Sequence, residues 1–282
     1  MKKNISIIMT LVICFILAGC SNNHRTTESD KNHLDKKTLT IGLECDFTPY
    51  NWTTTSAKKG EYSLPIDGSK GYCEGYDIYI AQQISKQLNL DIVVKKMSWD
   101  GVIPALKSGQ IDAIIGGMAP TTERQKEIAF SKPYFTDKAA MAIIIPKDSS
   151  LAKAKTLADF AGKNITAQQG TTQANHISDI KDNKSTALLP DVSSLVEAVK
   201  AKTVDGYLAD SKVAQEQVAA NPQLMAIDVS KEINLDPSES TVAIGISKDN
   251  TDLKNKINGV LDSISEKTRI SVMEQLQQEI GE

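Results

Sequence analysis

The sequence predicts an α/β protein of two lobes, the first of which is built around a largely parallel sheet. Short apolar runs such as Leu39–Leu43 and Ile111–Ile115 are long enough for one buried strand and too short for a helix. A helical pattern lies between them, in which Ile80, Ile84 and Leu88 recur at four-residue steps. Strands that alternate with helices favour a parallel sheet. Beyond residue 37 about 245 residues remain, enough for two lobes of roughly a hundred residues each.

The first residues have the pattern of an export signal. Lys2 and Lys3 precede the apolar run Ile5–Leu17, which is followed by small residues. This pattern is typical of a signal peptide, here residues 1–19, and the run is too short for a stable membrane span. We therefore expect an exported protein.

The next segment predicts a membrane anchor. Leu17-Ala18-Gly19-Cys20 resembles the bacterial lipobox, which implies cleavage before Cys20 and lipidation of its thiol. The alternative is a chance cysteine after an ordinary signal. Residues 20–37 are otherwise polar and charged, with Leu34 as the one aliphatic residue, and predict a flexible tether. We expect a lipid-anchored protein on the outer face of the bacterial cytoplasmic membrane.

Composition excludes several classes of function. The net charge of −3 and the sequence pI of about 5.8 leave no basic footprint for nucleic acid. His24 and His33 lie in the tether and His176 lies in a polar stretch, so the sequence shows neither a metal cluster nor a catalytic histidine constellation. We expect no metal and no cofactor.

Two cysteines are left for the folded part of the chain. Cys14 leaves with the signal and Cys20 carries the lipid, so Cys45 and Cys73 remain. Because an exported chain meets oxidising conditions, these two could pair in a disulfide. Two buried thiols are the alternative.

The elements of the first lobe follow in order. Strand Leu39–Leu43 leads into the loop Glu44–Trp52, which carries two acids and three aromatic rings at the place where ligands bind in open α/β sheets. Thr53–Gly71 predicts an irregular polar excursion. The next predicted elements are a helix capped by Asp77, the strand Asp91–Lys95, and a short helix that follows Trp99, is capped by Asp100 and ends at Gly109.

The segment around Arg124 predicts an anion-binding site. Strand Ile111–Ile115 ends at two glycines, Thr121 and Thr122 are good N-caps, and Glu123–Ala129 is the predicted helix. Arg124 falls in the first turn of that helix, where a cation is disfavoured unless an anion binds beside it. Free backbone N–H groups, hydroxyls and one guanidinium make a carboxylate pocket. The alternative is that Arg124 simply extends into solvent.

A second lobe repeats this logic. Met141–Ile145 is a strand that crosses into it, and Gln168–Thr172 is a loop that again places paired threonines before a helix. The segment Ala105–Ala113 aligns without gaps against Ala198–Gly206, which puts Asp210 opposite Gly117 at a strand end. Thr241–Ile246 is the return strand, and two crossings imply a hinge. We expect lobe 1 to comprise residues 38–137 and 241–282, with Thr251–Glu282 helical, and lobe 2 residues 138–240.

Together these motifs resemble the extracytoplasmic solute-binding proteins of ABC importers, specifically the polar amino-acid family. The similarity begins at Leu39 and spans nearly all of the mature chain. Its most specific pieces are Gly75-Tyr76-Asp77, Trp99–Ala113, Thr121–Arg124 with Ile128-Ala129-Phe130-Ser131, and Gln169-Gly170-Thr171-Thr172-Gln173. The resemblance implies a type II periplasmic-binding fold whose two lobes close on a free amino acid.

The resemblance also implies residue roles. Arg124 would hold the α-carboxylate, helped by backbone from Gly117 to Ala119 and by the Thr171-Thr172 pair, chiefly Thr172. Asp210 would pair with the α-ammonium. Phe47 and Trp99 would flank the ligand side chain, and Glu44 would point at its far end. Ala119 departs from the family pattern, in which a Ser or Thr hydroxyl contacts the carboxylate.

Other roles for these residues remain open from the sequence. Asp210 could be only an N-cap, and Glu44 only a solvated loop acid. Phe47 and Trp99 could belong to the lobe core.

Two functions are compatible with the pattern. The favoured one is a monomeric binding protein that captures a polar or cationic amino acid, namely Arg, Lys, His, Gln or cystine, and delivers it to an ABC permease. The alternative is an enzyme on the same fold, such as a dehydratase, or a sensor module. An enzyme needs a positioned acid–base pair. Each candidate acid except Glu44 is expected to pair with an opposite charge on the amino-acid zwitterion, so no other acid is left to act as a base. A sensor needs an attached output segment, and we expect none after Glu282.

Overall fold

The structure, a computed structural model, describes residues 37–56, 62–136, 140–185 and 187–281. The predicted signal peptide, Cys20 and all of the tether but Lys37 lie outside these residues. Among the helices that the structure does describe, none is both long enough and apolar enough to cross a membrane. The strands are β1 (Thr38–Leu43), β2 (Asp46–Phe47), β3 (Asn51–Thr54), β4 (Ser63–Pro65), β5 (Tyr72–Glu74), β6 (Asp91–Lys96), β7 (Ala113–Ile114), β8 (Ala129–Thr136), β9 (Met141–Pro146), β10 (Ile165–Thr166), β11 (Gly206–Asp210), β12 (Leu224–Asp228) and β13 (Thr241–Ile246). The helices are α1 (Tyr76–Leu88), α2 (Val102–Lys107), α3 (Thr122–Glu127), α4 (Thr172–Asn175), α5 (Val192–Lys200), α6 (Ser211–Ala220), α7 (Thr251–Ser263) and α8 (Glu266–Gly281).

The first sheet has the strand order β6-β1-β7-β13-β8. Strand β1 is parallel to β6 and β7, whereas β13 is antiparallel to both β7 and β8. Apolar side chains of β1 pack with those of α1, α7 and α8 in one core. Four of the five strands therefore run in one direction and β13 runs opposite, which confirms the predicted, largely parallel sheet. The C-terminal segment is two helices rather than the single one predicted, because the chain leaves helical geometry at Ile264.

The second sheet has the order β10-β11-β9-β12. Strand β10 is parallel to β11, and β9 is antiparallel to β11 and β12. In each sheet the strand of opposite direction is the one by which the chain enters: β9 follows β8 of the first sheet, and β13 returns from the second. In both sheets, the loops that leave the parallel strands toward the following helices therefore lie at the carboxyl ends of those strands.

A third, small antiparallel sheet replaces two predicted irregular segments. Its order is β2-β3-β5-β4, so the loop expected at Glu44–Trp52 contains paired strands, and β4 lies within the predicted excursion Thr53–Gly71. Strands of two to four residues are too short to show a period of two in the sequence. Cys45 and Cys73 form a disulfide across this sheet, with their Cα atoms 5.7 Å apart.

Three local predictions were wrong. Gly75, rather than Asp77, is the N-cap of α1, with φ of 124°, and a Cβ at this position would lie 2.4 Å from the Tyr50 carbonyl oxygen. Asp100 lies within a 3₁₀ turn, Trp99–Gly101, and does not cap α2. Helix α3 ends at Glu127 because Ala129 already pairs with Ile246 in the sheet.

The internal sequence echo has a structural counterpart. Gly109 and Lys202, which align, both adopt left-handed backbone, with φ of 75° and 57°. The aligned aspartates make the same contact: Asp112 accepts from the Thr40 amide and Asp205 from the Asn164 amide, each at 2.8 Å. The equivalence supports the predicted placement of Gly117 and Asp210 at the ends of matching strands.

Candidate functional site

The structure brings all nine predicted binding residues to one cavity of about 340 Å³. The cavity lies between the loops of the two sheets. The nine residues in its wall are Glu44, Phe47, Trp99, Gly117, Ala119, Arg124, Thr171, Thr172 and Asp210.

Arg124 projects from the first turn of α3 into this cavity. The Thr121 hydroxyl accepts from the Arg124 amide at 3.3 Å, which confirms the predicted N-cap. The guanidinium donates to the carbonyl oxygens of Ala119 at 3.0 Å and Gly170 at 2.9 Å, and lies 5.5 Å from the Trp99 ring centroid. Burial lowers the pKa of Arg124 to about 10, so the group is cationic at neutral pH. Arg124 therefore does not extend freely into solvent.

Asp210 ends β11 on the opposite side of the cavity. Its Oδ1 accepts from the Lys212 amide at 2.8 Å, so the residue is an N-cap of α6 as well as part of the cavity wall. Burial raises the pKa of this carboxyl, and the backbone amides of Lys212 and Val213 oppose that rise. The cavity thus has a guanidinium and a carboxylate in its wall, from different sheets.

Glu44 provides a second carboxylate, directly after β1. Both of its oxygens accept from Gln168 Nε2, at 2.8 and 3.0 Å. Burial raises the pKa of Glu44 to about 7, with smaller upward effects from Asp46 and Asp191. Glu44 is half-buried and hydrogen-bonded rather than a solvated loop acid.

The two predicted aromatic residues line the cavity, Phe47 from strand β2 and Trp99 from the 3₁₀ turn Trp99–Gly101. Phe47 stacks on Tyr50 with centroids 5.0 Å apart, and a Cβ on Gly117 would lie 2.5 Å from the Phe47 ring. Trp99 donates from Nε1 to the Gly170 carbonyl at 3.0 Å. Both side chains are only partly buried, so they are wall residues rather than fully enclosed core.

Several contacts join the loops of one sheet to those of the other. Trp99 and Arg124 both donate to Gly170, and Gln168 donates to Glu44. Further bridges run from the Thr48 hydroxyl to Glu216 at 3.0 Å and from Gln169 to Asp100 at 3.3 Å. The loops therefore meet around the cavity, which is the arrangement of a closed cleft.

Comparison with known proteins decides the family. The family model for bacterial extracellular solute-binding proteins, family 3, matches residues 39–276. The chain belongs to this family. Its members are binding proteins, not enzymes, that serve amino-acid ABC transporters.

Individual relatives align with this chain along nearly their whole length. The arginine-binding extracellular protein ArtP of Bacillus subtilis is 27% identical over 95% of this chain and 98% of its own. The amino acid ABC transporter substrate-binding protein AbpA of Streptococcus pneumoniae, solved with L-arginine, has a TM-score of 0.72 and 28% identity, covering 88% of this chain and 98% of its own. An ancestral arginine-binding protein, solved with glutamine, has a TM-score of 0.70 and 30% identity, covering 86% and 98%. The predicted type II periplasmic-binding fold is confirmed.

This solute-binding protein also has cavity residues that sequence reasoning did not select. Asp46, Gln168, Lys212 and Glu239 all line the cavity. The Lys212 ammonium lies 5.8 Å from the ring centroids of Tyr50 and Phe135, and burial lowers its pKa. The position of Gln168 two residues before the Gly170-Thr171-Thr172 motif was a usable signal. For the other three, proximity to the cavity depends on tertiary structure.

Proposed function

We propose that this solute-binding protein captures a free amino acid with a cationic or polar side chain. The observation that carries the proposal is the charge pattern of the cavity, in which Arg124 comes from the first turn of α3, Asp210 from the end of β11, and Glu44 from the residue after β1. A guanidinium and a carboxylate match the two charges of an amino-acid zwitterion. Of the other charged groups in the wall, Glu44 is the one that we assign to the ligand side chain.

Each residue has a defined role in this proposal. Arg124 binds the α-carboxylate, with backbone from Gly117 to Ala119 and the Thr171-Thr172 segment as further donors. Asp210 binds the α-ammonium. Since Ala119 has no hydroxyl, one carboxylate contact comes from backbone alone, which lowers affinity more than it changes ligand class.

Specificity depends on Glu44 and the two rings. A carboxylate at the far end of the ligand favours guanidinium, ammonium, imidazolium or carboxamide groups. It disfavours glutamate and aspartate, because burying two like charges costs more than burying an unpaired polar group. Phe47 and Trp99 offer faces for a planar cation, worth about 0.5–2 kcal/mol when stacked. L-arginine is the first candidate, because ArtP is an arginine-binding protein and AbpA was solved with L-arginine, and lysine, histidine, glutamine and cystine are the others.

The lobes and their motion are part of the proposal. Lobe 1 comprises residues 38–137 and 241–282, and lobe 2 comprises residues 138–240. The contacts of Gly170 with Trp99 and Arg124 belong to the closed state, and the crossings near Thr136–Met141 and Ser238–Val242 are the hinge. Ligand binding closes the cleft by holding both lobes to one amino acid.

Location follows from the N-terminal pattern. Lipidated Cys20 anchors a monomer to the outer face of the cytoplasmic membrane, where it delivers its ligand to the permease subunits. Cys20→Ala should leave ligand binding unchanged and release the protein from the membrane fraction, because one lipidated terminus attaches the protein to the membrane. Wild-type membrane retention of this variant contradicts the anchor.

A thermal-shift panel of the twenty amino acids plus cystine tests the ligand class. We expect L-arginine to raise the melting temperature most, because only ligands that bind the native state stabilise it. If glutamate or leucine gives the largest shift, Glu44 does not face the ligand and the proposed class is wrong.

A further inference from the structure

The carboxylate of Asp77 is fully buried beneath the cavity. Asp77 is 0% exposed, one residue into α1. Its Oδ1 accepts from the Tyr134 hydroxyl at 2.5 Å, and its Oδ2 accepts from Asn51 Nδ2 at 2.7 Å. Asp77 does not itself line the cavity.

Both partners of Asp77 continue to the cavity wall. The Tyr134 hydroxyl accepts from the Gly117 amide at 2.9 Å, and Asn51 Oδ1 accepts from the Asp46 amide at 3.2 Å. The backbone amides at Gly117 and Asp46 belong to two separate wall segments. One buried carboxylate is therefore connected, through one side chain on each side, to both segments.

The donor and acceptor pattern of this network is fully determined. An amide N–H only donates, so Asn51 must present its oxygen to Asp46 and its NH₂ to Asp77. The Tyr134 hydroxyl accepts from Gly117, so its single proton must go to Asp77. Both chains of hydrogen bonds thus end on an acceptor, and only a carboxylate accepts from both without offering a competing donor.

The charge environment shows that packing alone does not account for Asp77. No lysine or arginine among the described residues pairs with it, and burial raises its pKa to about 7 against the hydrogen bonds from Tyr134, Asn51 and the Gly117 amide. Burying a carboxyl without a cation is costly, and an apolar side chain would fill the space at lower cost. The hydrogen bonds to the wall segments offset that cost in part.

The wall segment at Gly117 depends on these hydrogen bonds for its position. The φ of Gly117, 65°, lies in the left-handed region, and the Phe47 ring occupies the space where a Cβ would be. Gly117 has no side chain of its own, and its amide is held by the Tyr134 hydroxyl, from strand β8, and by the Asp77 carboxylate.

We infer that Asp77 is a positioning residue of the ligand site, holding the Gly117 and Asp46 segments in place through Tyr134 and Asn51. Its effect on affinity rests on the proposed amino-acid function, whereas its effect on the two amides does not. Loss of the anchor frees the wall segments, and ligand binding then has to order them again.

A matched pair of tyrosine variants separates positioning from packing. Tyr134→Phe removes the hydroxyl that links Gly117 to Asp77. Tyr76→Phe removes a hydroxyl from the same aromatic cluster, where it donates to the Tyr134 carbonyl at 3.3 Å and reaches no wall segment. Both lose one buried hydroxyl. We expect about tenfold weaker L-arginine binding in Tyr134→Phe and a change within about twofold in Tyr76→Phe, because only the first removes a hydroxyl that accepts from a wall amide.

An exchange of the two side chains provides a rescue. Asp77→Asn puts the NH₂ of the new side chain against the NH₂ of Asn51, so the network breaks. In the double variant Asn51→Asp/Asp77→Asn, the carboxylate at 51 accepts from both Asp46 and the new amide, and the amide oxygen at 77 accepts from Tyr134. We expect Asp77→Asn to lose about tenfold or more in affinity and the double variant to recover most of that loss.

The test combines calorimetry with L-arginine and amide hydrogen exchange followed by NMR without ligand. The inference predicts faster exchange at Gly117 in Tyr134→Phe, and at Gly117 and Asp46 in Asp77→Asn, with near wild-type exchange in Tyr76→Phe and in the double variant. If the wild type binds no L-arginine, the proposed ligand is wrong and the exchange data alone decide the anchor. Equal effects of the two tyrosine variants on both readouts would overturn the inference, even if the Asp77 variants fail to fold.

Discussion

Replacing Glu44 by glutamine should weaken L-arginine binding and remove most of its dependence on pH. A hydrogen bond to a charged group contributes about 1.5–3 kcal/mol, so Glu44→Gln at pH 8 should cost between roughly tenfold and a hundredfold in affinity. The amide keeps the shape of the side chain, and its oxygen still accepts from Gln168. The change therefore removes charge rather than packing.

The pH dependence follows from burial of the carboxyl. The pKa of Glu44 is raised to about 7 in the free protein, and a bound guanidinium stabilises the ionised form, so arginine binding releases a proton below pH 7. Affinity in the wild type should therefore fall by about tenfold from pH 8 to pH 6, since one pKa unit corresponds to about 1.4 kcal/mol. Asp77 also has a pKa of about 7, but it is present in both proteins and cancels in the comparison.

Isothermal calorimetry of both proteins from pH 6 to pH 8 provides the measurement. Repeating each titration in two buffers of different ionisation enthalpy counts the protons released. If Glu44→Gln retains both the wild-type affinity and the wild-type pH profile, Glu44 does not contact a cationic group of the ligand.

Three further results are expected. Lys202→Gly should stabilise the protein by about 0.5–1 kcal/mol in urea denaturation, because Lys202 has a φ of 57° and its exposed ion pair with Asp148 contributes little; destabilisation would contradict this. Cys45→Ala/Cys73→Ala should lose about 3–4 kcal/mol, as expected for a disulfide that links residues 28 apart, and an unchanged midpoint would show that the bond does not contribute. Small-angle scattering should show a smaller radius of gyration when L-arginine is added, and an identical profile at saturation would contradict hinge closure.

The strand-end reasoning predicted most of the candidate site. Arg124 was selected because it falls in the first turn of the helix after a short apolar strand, and Asp210 because the internal echo places it opposite Gly117 at a strand end, where ligands bind in open sheets. The family resemblance supplied their roles. The gap-free echo likewise aligned Gly109 with Lys202, whose shared left-handed backbone the structure shows. These features are local, and hydrophobic pattern and turn chemistry express them directly.

The features that sequence did not predict depend on contacts between distant residues. Asp77 stands in the first turn of a helix, where an N-cap and a buried network carboxylate have the same local pattern. Its partner Tyr134 is 57 residues away and belongs to another element. The small sheet closed by the Cys45–Cys73 disulfide was missed for a similar reason, because its short strands pair across a polar insertion. Gln168 contacts Glu44 across 124 residues.

The central claim is that Arg124 binds the α-carboxylate of an amino acid, and comparing L-arginine with agmatine tests it most directly. Agmatine is arginine without that carboxylate, so calorimetry of both ligands on the wild type and on Arg124→Met isolates one charge pair. Contacts of Arg124 with Ala119 and Gly170 are lost equally for both ligands and cancel. A coupling of about 2–5 kcal/mol is expected, so Arg124→Met should reduce the wild-type preference for L-arginine over agmatine by thirtyfold or more. A variant that keeps the wild-type preference would contradict the account.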